Sequence, residues 1–148
     1  MISQLAAADR PRWTELWRAY LAFYETQLSP AIFDHAWSRL MQGHELHAYA
    51  ARATSDPDSE IIGITHFLYH PSAWTLSPVC YLQDLYVAPE ARGKGTARAL
   101  IEAVAAHART QNAARLYWLT QDHNETARAL YDRLAIHTGF IRYEYPPL

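Results

Sequence analysis

The sequence predicts an α/β domain of the α+β mixed-sheet kind, a central mixed β-sheet flanked by about four helices in one domain over residues 1–148. Three observations predict it. Two apolar runs, 47–52 and 61–69, flank the polar segment Ser55-Asp56-Pro57-Asp58-Ser59, whose turn chemistry makes them an antiparallel hairpin. An apolar run at 79–87, a helical pattern at 95–109 and another apolar run at 116–120 follow one another closely. Strand, helix and strand in that form imply a right-handed crossover and a parallel pair. Finally, 148 residues can bury a sizeable core without disulfides or a structural metal, and no repeat, low-complexity tract or linker divides them.

In chain order, residues 2–6 have weak strand character. From Asp9 the chain turns helical, with Asp9 able to cap, Pro11 in the first turn, and Trp13, Leu16, Trp17, Tyr20, Leu21 and Tyr24 along one face. Leu28-Ser29-Pro30 breaks that helix. A second runs over 31–41 with Phe33, Trp37, Leu40 and Met41 as its stripe, and Gly43 ends it. The hairpin strands come next. The strand at 79–87 is apolar on both faces apart from Gln83 and Asp84, as a central strand should be. Ala97, Leu100, Ile101, Val104, Ala105 and Ala108 line one side of the helix that follows. A last helix at 124–135 turns Ala127, Leu130, Tyr131 and Leu134 inward, and the chain returns through Gly139 into a strand at 140–145.

Composition excludes several classes. Half the residues are hydrophobic, yet no apolar run approaches the roughly 18 residues of a membrane span. The first residues lack the basic start and apolar stretch of a signal peptide, and Cys80 is the single cysteine, so a cytoplasmic location is expected. A net charge of -2 argues against general nucleic-acid binding. The eight histidines show no metal-ligand spacing, and no catalytic metal is expected. Cys80, inside an apolar strand, reads as a packed thiol rather than a nucleophile.

The chemistry gathers on Leu82-Gln83-Asp84-Leu85-Tyr86-Val87-Ala88-Pro89 and the loop Arg92-Gly93-Lys94-Gly95-Thr96-Ala97 behind it. A helix whose first turn is a glycine loop aims unpaired N–H groups and the positive end of its dipole at one place, which binds phosphate. Lys94, the only lysine in the chain, lies in that loop. The spacing is neither a dinucleotide fingerprint nor a Walker loop. It resembles Arg/Gln-x-x-Gly-x-Gly/Ala, the acetyl-coenzyme A pyrophosphate loop of the GNAT family of N-acetyltransferases. The preceding strand is similar to that family's fourth strand. Asn124-Glu125-Thr126-Ala127-Arg128-Ala129-Leu130-Tyr131 with Gly139-Phe140 resembles its Asn-x-x-Ala-x-x-Leu/Phe-Tyr…Gly-Phe segment. Within the family, Tyr81-Leu82-Gln83-Asp84-Leu85 resembles the branch that acetylates polyamines, amino acids and related small amines, with glutamine at 83 where diamine enzymes carry a glutamate.

The resemblance implies an N-acetyltransferase fold over essentially the whole chain, acetyl-coenzyme A as co-substrate, a primary amine as acceptor, and a homodimer paired through the strand at 140–145. It assigns the cofactor to Leu85, Tyr86 and Val87, to Arg92, Gly93, Lys94, Gly95, Thr96 and Ala97, and to Asn124, Arg128 and Tyr131. Tyr131 is the expected general acid, since a phenol of pKa about 10 holds its proton at neutral pH and can give it to a thiolate. Asn124 serves equally as a helix cap and Arg128 as a solvated cation. For the base, Asp84 stands where a buried strand should be apolar, and burial makes a carboxylate a stronger base. Strand alternation, however, puts Gln83 and Asp84 on opposite faces, and ordered water relayed by Gln83 or Tyr81 is the rival route. Trp17, Tyr20, Tyr24, Trp37, His66, Tyr69 and Trp74 supply aromatic surface for an acceptor pocket, with fewer than half expected to line it. Three other functions fit the same residues: a protein or peptide N-acetyltransferase, an acyl-coenzyme A binding module without turnover, and a nucleotide-phosphate binder sharing only the loop.

Overall fold

The strands Ile2–Gln4 (β1), His47–Arg52 (β2), Ile61–His70 (β3), Val79–Val87 (β4) and Arg115–Tyr117 (β5) form one sheet in chain order. Pairing is antiparallel from β1 through β4 and parallel between β4 and β5. The hairpin and the crossover therefore produce the mixed sheet expected of them. The computed structural model describes residues 1–147. The chain divides into two units, Met1–Trp118 with the whole sheet, and a second that begins at Leu119.

In the first unit, helices Arg10–Phe23 (α1) and Pro30–Gln42 (α2) each begin with proline in the first turn, where the missing N–H costs nothing. Gly43, at φ 64°, closes α2 in the left-handed conformation and donates its N–H to the Arg39 carbonyl. Trp13, Leu16 and Trp17 of α1 and Phe33, Trp37 and Leu40 of α2 pack with Ala50, Ile61, Ile64 and Ala88 on one face of the sheet. Trp13 is its centre, fully buried with the rings of Trp17 and Trp37 each 5.0 Å away. Helix Thr96–Thr110 (α3) covers the other face of β2, β3 and β4. There Leu100 packs with Ala51, Val87 and Ala91. Gly63 marks the closest approach, because a Cβ on it would lie 3.1 Å from the Tyr86 carbonyl oxygen and 3.3 Å from Leu100 Cδ1.

Several expectations are corrected. Asp9 does sit at the start of α1, but its carboxylate makes no cap bond. It accepts instead from the Ala6 N–H at 2.8 Å and from both terminal nitrogens of the buried Arg52, at 3.1 and 2.7 Å. An ion pair shielded from water outcompetes a solvated cap. Met41 lies at the exposed end of the α2 stripe, and β5 stops at Tyr117 rather than reaching 120. In the second unit one helix forms, Glu125–Leu134 (α4). Residues 136–147 contain no strand, and Phe140, Ile141, Tyr143 and Tyr145 are all more than 70% exposed. Their alternating pattern suits a strand, but a strand exists only where a neighbour accepts its hydrogen bonds. Among the described residues no helix is long and apolar enough to cross a membrane.

Candidate active site

β4 carries the site, and its register explains how. Against β3, His66 is opposite Asp84 and Phe67 is opposite Leu82, so Gln83 is an extra residue, a β-bulge. The bulge resets the alternation. Leu82, beside Phe67, belongs to the α3 face, where the Phe67 ring lies 5.2 Å from that of His107. Asp84, beside His66, belongs to the α1 face, where the His66 ring lies 5.8 Å from that of Trp17. Regular alternation would have put residues 82 and 84 on one face; the bulge separates them and sets Asp84 beside His66. Gln83 itself is exposed.

Beyond the bulge, the main chain alternates as well. Ala88 N–H donates to the Ile62 carbonyl, and the Asp84 carbonyl accepts from Thr65 Oγ1 at 2.8 Å, so residues 84, 86 and 88 turn their peptide groups toward β3. Leu85 and Val87 turn theirs to the opposite edge. Pairing with β5 ends at Tyr81–Tyr117, whose rings stack at 4.9 Å, and among the described residues no strand lines that edge from 82 onward. The Leu85 peptide groups and the Val87 N–H consequently face that unpaired edge, while the Val87 carbonyl accepts from Arg92. The side chains of 85 and 87 pack under α3, while Tyr86 joins the α1 core.

The Asp84 side chain is only 13% exposed and has two donors. One is His66 Nδ1, 2.9 Å from Oδ2. The other is the Tyr20 hydroxyl; burial first, then the Asp84 charge and this hydrogen bond, raise the Tyr20 pKa well above its ordinary value. Burial and the Asp84 charge raise that of Tyr24. His66 is itself bound on its far side, where the Trp13 indole N–H donates to Nε2 at 2.9 Å. No buried side-chain nitrogen or oxygen among the described residues lacks a partner.

The glycine loop turns at Gly93, φ 73°, and Gly95, φ 83°, both left-handed, and nothing lies within 4 Å of where a Cβ would stand at either. Ala99 N–H is the first to bond back into α3, to the Gly95 carbonyl, which leaves the N–H groups of residues 96–98 as the open donors of that helix. Arg92 folds back, its Nε donating to the Val87 carbonyl at 3.0 Å and its guanidinium lying 5.5 Å from the centre of the Tyr86 ring. Lys94 Nζ donates to the Glu90 carbonyl and Thr96 Oγ1 to the Ala91 carbonyl. Main-chain donors, rather than the two cations, form the cradle. Open main-chain donors at the start of α3, with unpaired peptide groups at the edge of β4, suit a ligand with phosphates and an amide-bearing arm.

Of the proposed pocket aromatics, Tyr20 and Tyr24 stand beside Asp84. Trp17, Trp37 and His66 are core, Tyr69 turns to α3 with its hydroxyl 2.7 Å from His107 Nδ1, and Trp74 is exposed on a loop. Cys80 is fully buried, and burial pushes its thiol up to about 11, partly offset by a hydrogen bond from Tyr69. In the second unit, Asn124 caps α4 by accepting from the Ala127 N–H, while Arg128 donates to the carbonyl and carboxylate of Asp122 at 2.7 and 2.8 Å. Tyr131 is half-buried on α4. His66, expected among the pocket aromatics, instead binds Asp84 from inside the core. The signal for this in the sequence is Thr65-His66, a polar pair inside an otherwise apolar strand, where each side chain needs a partner.

Comparison with known proteins identifies the family and the fold. Residues 10–135 match the family described as Acetyltransferase (GNAT) family. The D-amino-acid N-acetyltransferase HPA3 of Saccharomyces cerevisiae is 30% identical over 144 residues, 97% of this chain and 89% of that protein. The thialysine N-epsilon-acetyltransferase of Caenorhabditis elegans is 33% identical over 92 residues, 62% of this chain and 54% of that protein. Among solved structures, the ribosomal-protein-alanine N-acetyltransferase of Brucella melitensis biovar Abortus superposes with a TM-score of 0.80 at 25% identity, covering 98% of this chain and 97% of that one.

Proposed function

The chain belongs to the GNAT family of acetyltransferases and is an N-acetyltransferase; on that premise we propose that its donor is acetyl-coenzyme A and its acceptor the primary amine of a small molecule. The observation that carries this reading is the arrangement of β4, where Leu85 and the Val87 N–H offer main-chain groups to an unpaired edge and Asp84 stands on the α1 face. Acetyl-coenzyme A would supply the acetyl group as a thioester, an acyl donor activated toward a neutral amine. The N–H groups of residues 93–98 would hold its pyrophosphate, with Gly93 and Gly95 leaving room for close approach. Leu85 and Val87 would orient its arm, and Tyr86 serves indirectly by seating Arg92.

An alkylammonium is protonated at neutral pH and must lose a proton before it can attack. Asp84 receives that proton at its carboxylate, with Tyr20 and Tyr24 forming the wall against which the amine lies. Gln83, exposed at the bulge, is assigned the alternative of relaying the proton through a water, on the resemblance of residues 81–85 to the family strand. Tyr131 is assigned the general acid and Asn124 and Arg128 supporting roles on the similarity of residues 124–131 to the family segment, and the family match, running to residue 135, supports treating both units as one catalytic domain. The names of the yeast and nematode relatives favour a small amino-acid-like acceptor. Cytoplasmic location rests on the single cysteine, and homodimerisation on the family resemblance.

A peptide α-amine is the second reading, favoured by the Brucella enzyme. Incubation with acetyl-coenzyme A and a panel of D- and L-amino acids, thialysine, polyamines and alanine-initiated peptides, with free thiol as the readout, separates them. Turnover should be fastest with an amino-acid-like amine. Tight acetyl-coenzyme A binding with no amine-dependent thiol release would reduce the chain to a binding module, and turnover of the peptides alone would establish the second reading.

A further inference from the structure

We propose that His66, held in a single tautomer by Trp13, is the positioning residue that orients Asp84 and keeps its carboxylate ready to take the proton of the acceptor amine. The proposal rests on the reading of Asp84 as base. An indole N–H can only donate. Because Trp13 Nε1 points at His66 Nε2 from 2.9 Å, that nitrogen carries the lone pair and the ring proton resides on Nδ1. Nδ1 then donates to Asp84 Oδ2, also at 2.9 Å. The pair is therefore a hydrogen bond from a neutral imidazole to a carboxylate, not an ion pair between charged groups.

Nothing in this chain of bonds is free to rearrange. His66 is 2% exposed, and a flipped ring would turn C–H edges toward Asp84 and the indole, stranding both. Trp13 is fully buried among Trp17, Phe33 and Trp37, so the direction of its N–H is set by the packing of α1 and α2. At its other end, Asp84 follows the bulge at Gln83, where the ladder is interrupted and cannot fix the side chain alone. Thr65 Oγ1 holds its carbonyl and His66 its carboxylate. The groups facing that carboxylate are His66 from β3, Tyr20 and Tyr24 from α1 and, near Tyr20, Tyr81 from β4. Among the described residues no arginine or lysine pairs with it, so its hydrogen-bond partners are neutral donors.

The test measures amine acetylation across about pH 5 to 9 for the wild type, His66→Leu, His66→Asn and Asp84→Asn. His66→Leu should lower kcat at least about tenfold, leave the KM for acetyl-coenzyme A unchanged and move the acid limb to higher pH, because the charged carboxylate loses a donor. His66→Asn, whose amide can donate from nearly the position of Nδ1, should recover most of the rate. Equal losses in the two His66 variants with an unmoved acid limb would overturn the proposal. If Asp84→Asn is inactive while His66→Leu keeps the wild-type profile, the proposal fails and the base stands; if Asp84→Asn turns over normally, both fail. Should His66→Leu not fold, 15N spectra of the wild type decide: a protonated Nδ1 with a bare Nε2 is expected, and the reverse tautomer or a doubly protonated ring refutes it.

Discussion

Gly95→Ala separates the backbone role of the glycine loop from a binding role, because the structure provides a matched control in Gly43. Both residues are left-handed, at φ 83° and 64°, and at both a Cβ would meet nothing within 4 Å. The left-handed backbone costs an L-residue about 1–2 kcal/mol. Alanine returns about 0.4–1 kcal/mol by restricting the unfolded chain. Each variant should therefore lose roughly 0.5–1 kcal/mol, about 1–4 °C in Tm for a domain of this size. At Gly95 the added methyl would also stand in the mouth of the cradle, where a phosphate must approach. The KM for acetyl-coenzyme A should rise about tenfold, equivalent to about 1.4 kcal/mol, in Gly95→Ala and stay unchanged in Gly43→Ala. Scanning calorimetry and initial rates at varied acetyl-coenzyme A provide both readouts. An unchanged KM in Gly95→Ala, or an equal rise in the control, would refute the assignment of the loop.

Further outcomes follow from other sites. Gly63→Ala drives a methyl against the Tyr86 carbonyl and Leu100, and should cost about 1–3 kcal/mol, seen as a lower urea midpoint. Asp9→Ala removes the partner of Arg52, whose side chain is 4% exposed, and should destabilise by about 3 kcal/mol, far more than loss of a surface pair. Tyr131→Phe should lower kcat at least about tenfold, and an unchanged rate across pH would remove Tyr131 from the general-acid role. With its folded pKa raised to about 11, Cys80 keeps its proton after the unfolded thiol has ionised, so stability is complete below about pH 8.5 and declines as pH rises toward 11. Cys80→Ala should flatten the fall in Tm between about pH 8.5 and 10.

Periodicity alone made β2 to β4 and α1 to α3 legible to within a residue or two, because each buries a stripe that the sequence displays. The glycine loop was legible too, since left-handed turns leave few alternatives to glycine. The bulge was not. In a strand apolar on both faces, one extra residue leaves no gap in the pattern, and it shows only when Phe67 and His66 are set against Leu82 and Asp84. The partnership of Trp13 with His66 spans 53 residues and two element types, so no local window contains it. The segment at 140–145 erred the other way, its alternation stating what a strand would bury without supplying a strand to pair with.

Asp84 reaches the α1 face through its register opposite His66, and Gln83 is the one residue of β4 that the ladder leaves out. Residue 83 is exposed and carries no packing, so substitution there leaves the fold intact. Deleting it would leave Leu82 opposite Phe67 and Asp84 opposite His66 in one regular ladder, so the Asp84 carboxylate would keep the α1 face and only the local bend of the bulge would go. A chain built this way tolerates a change of letter at its bulge, and it is the pairing with His66 that must be kept.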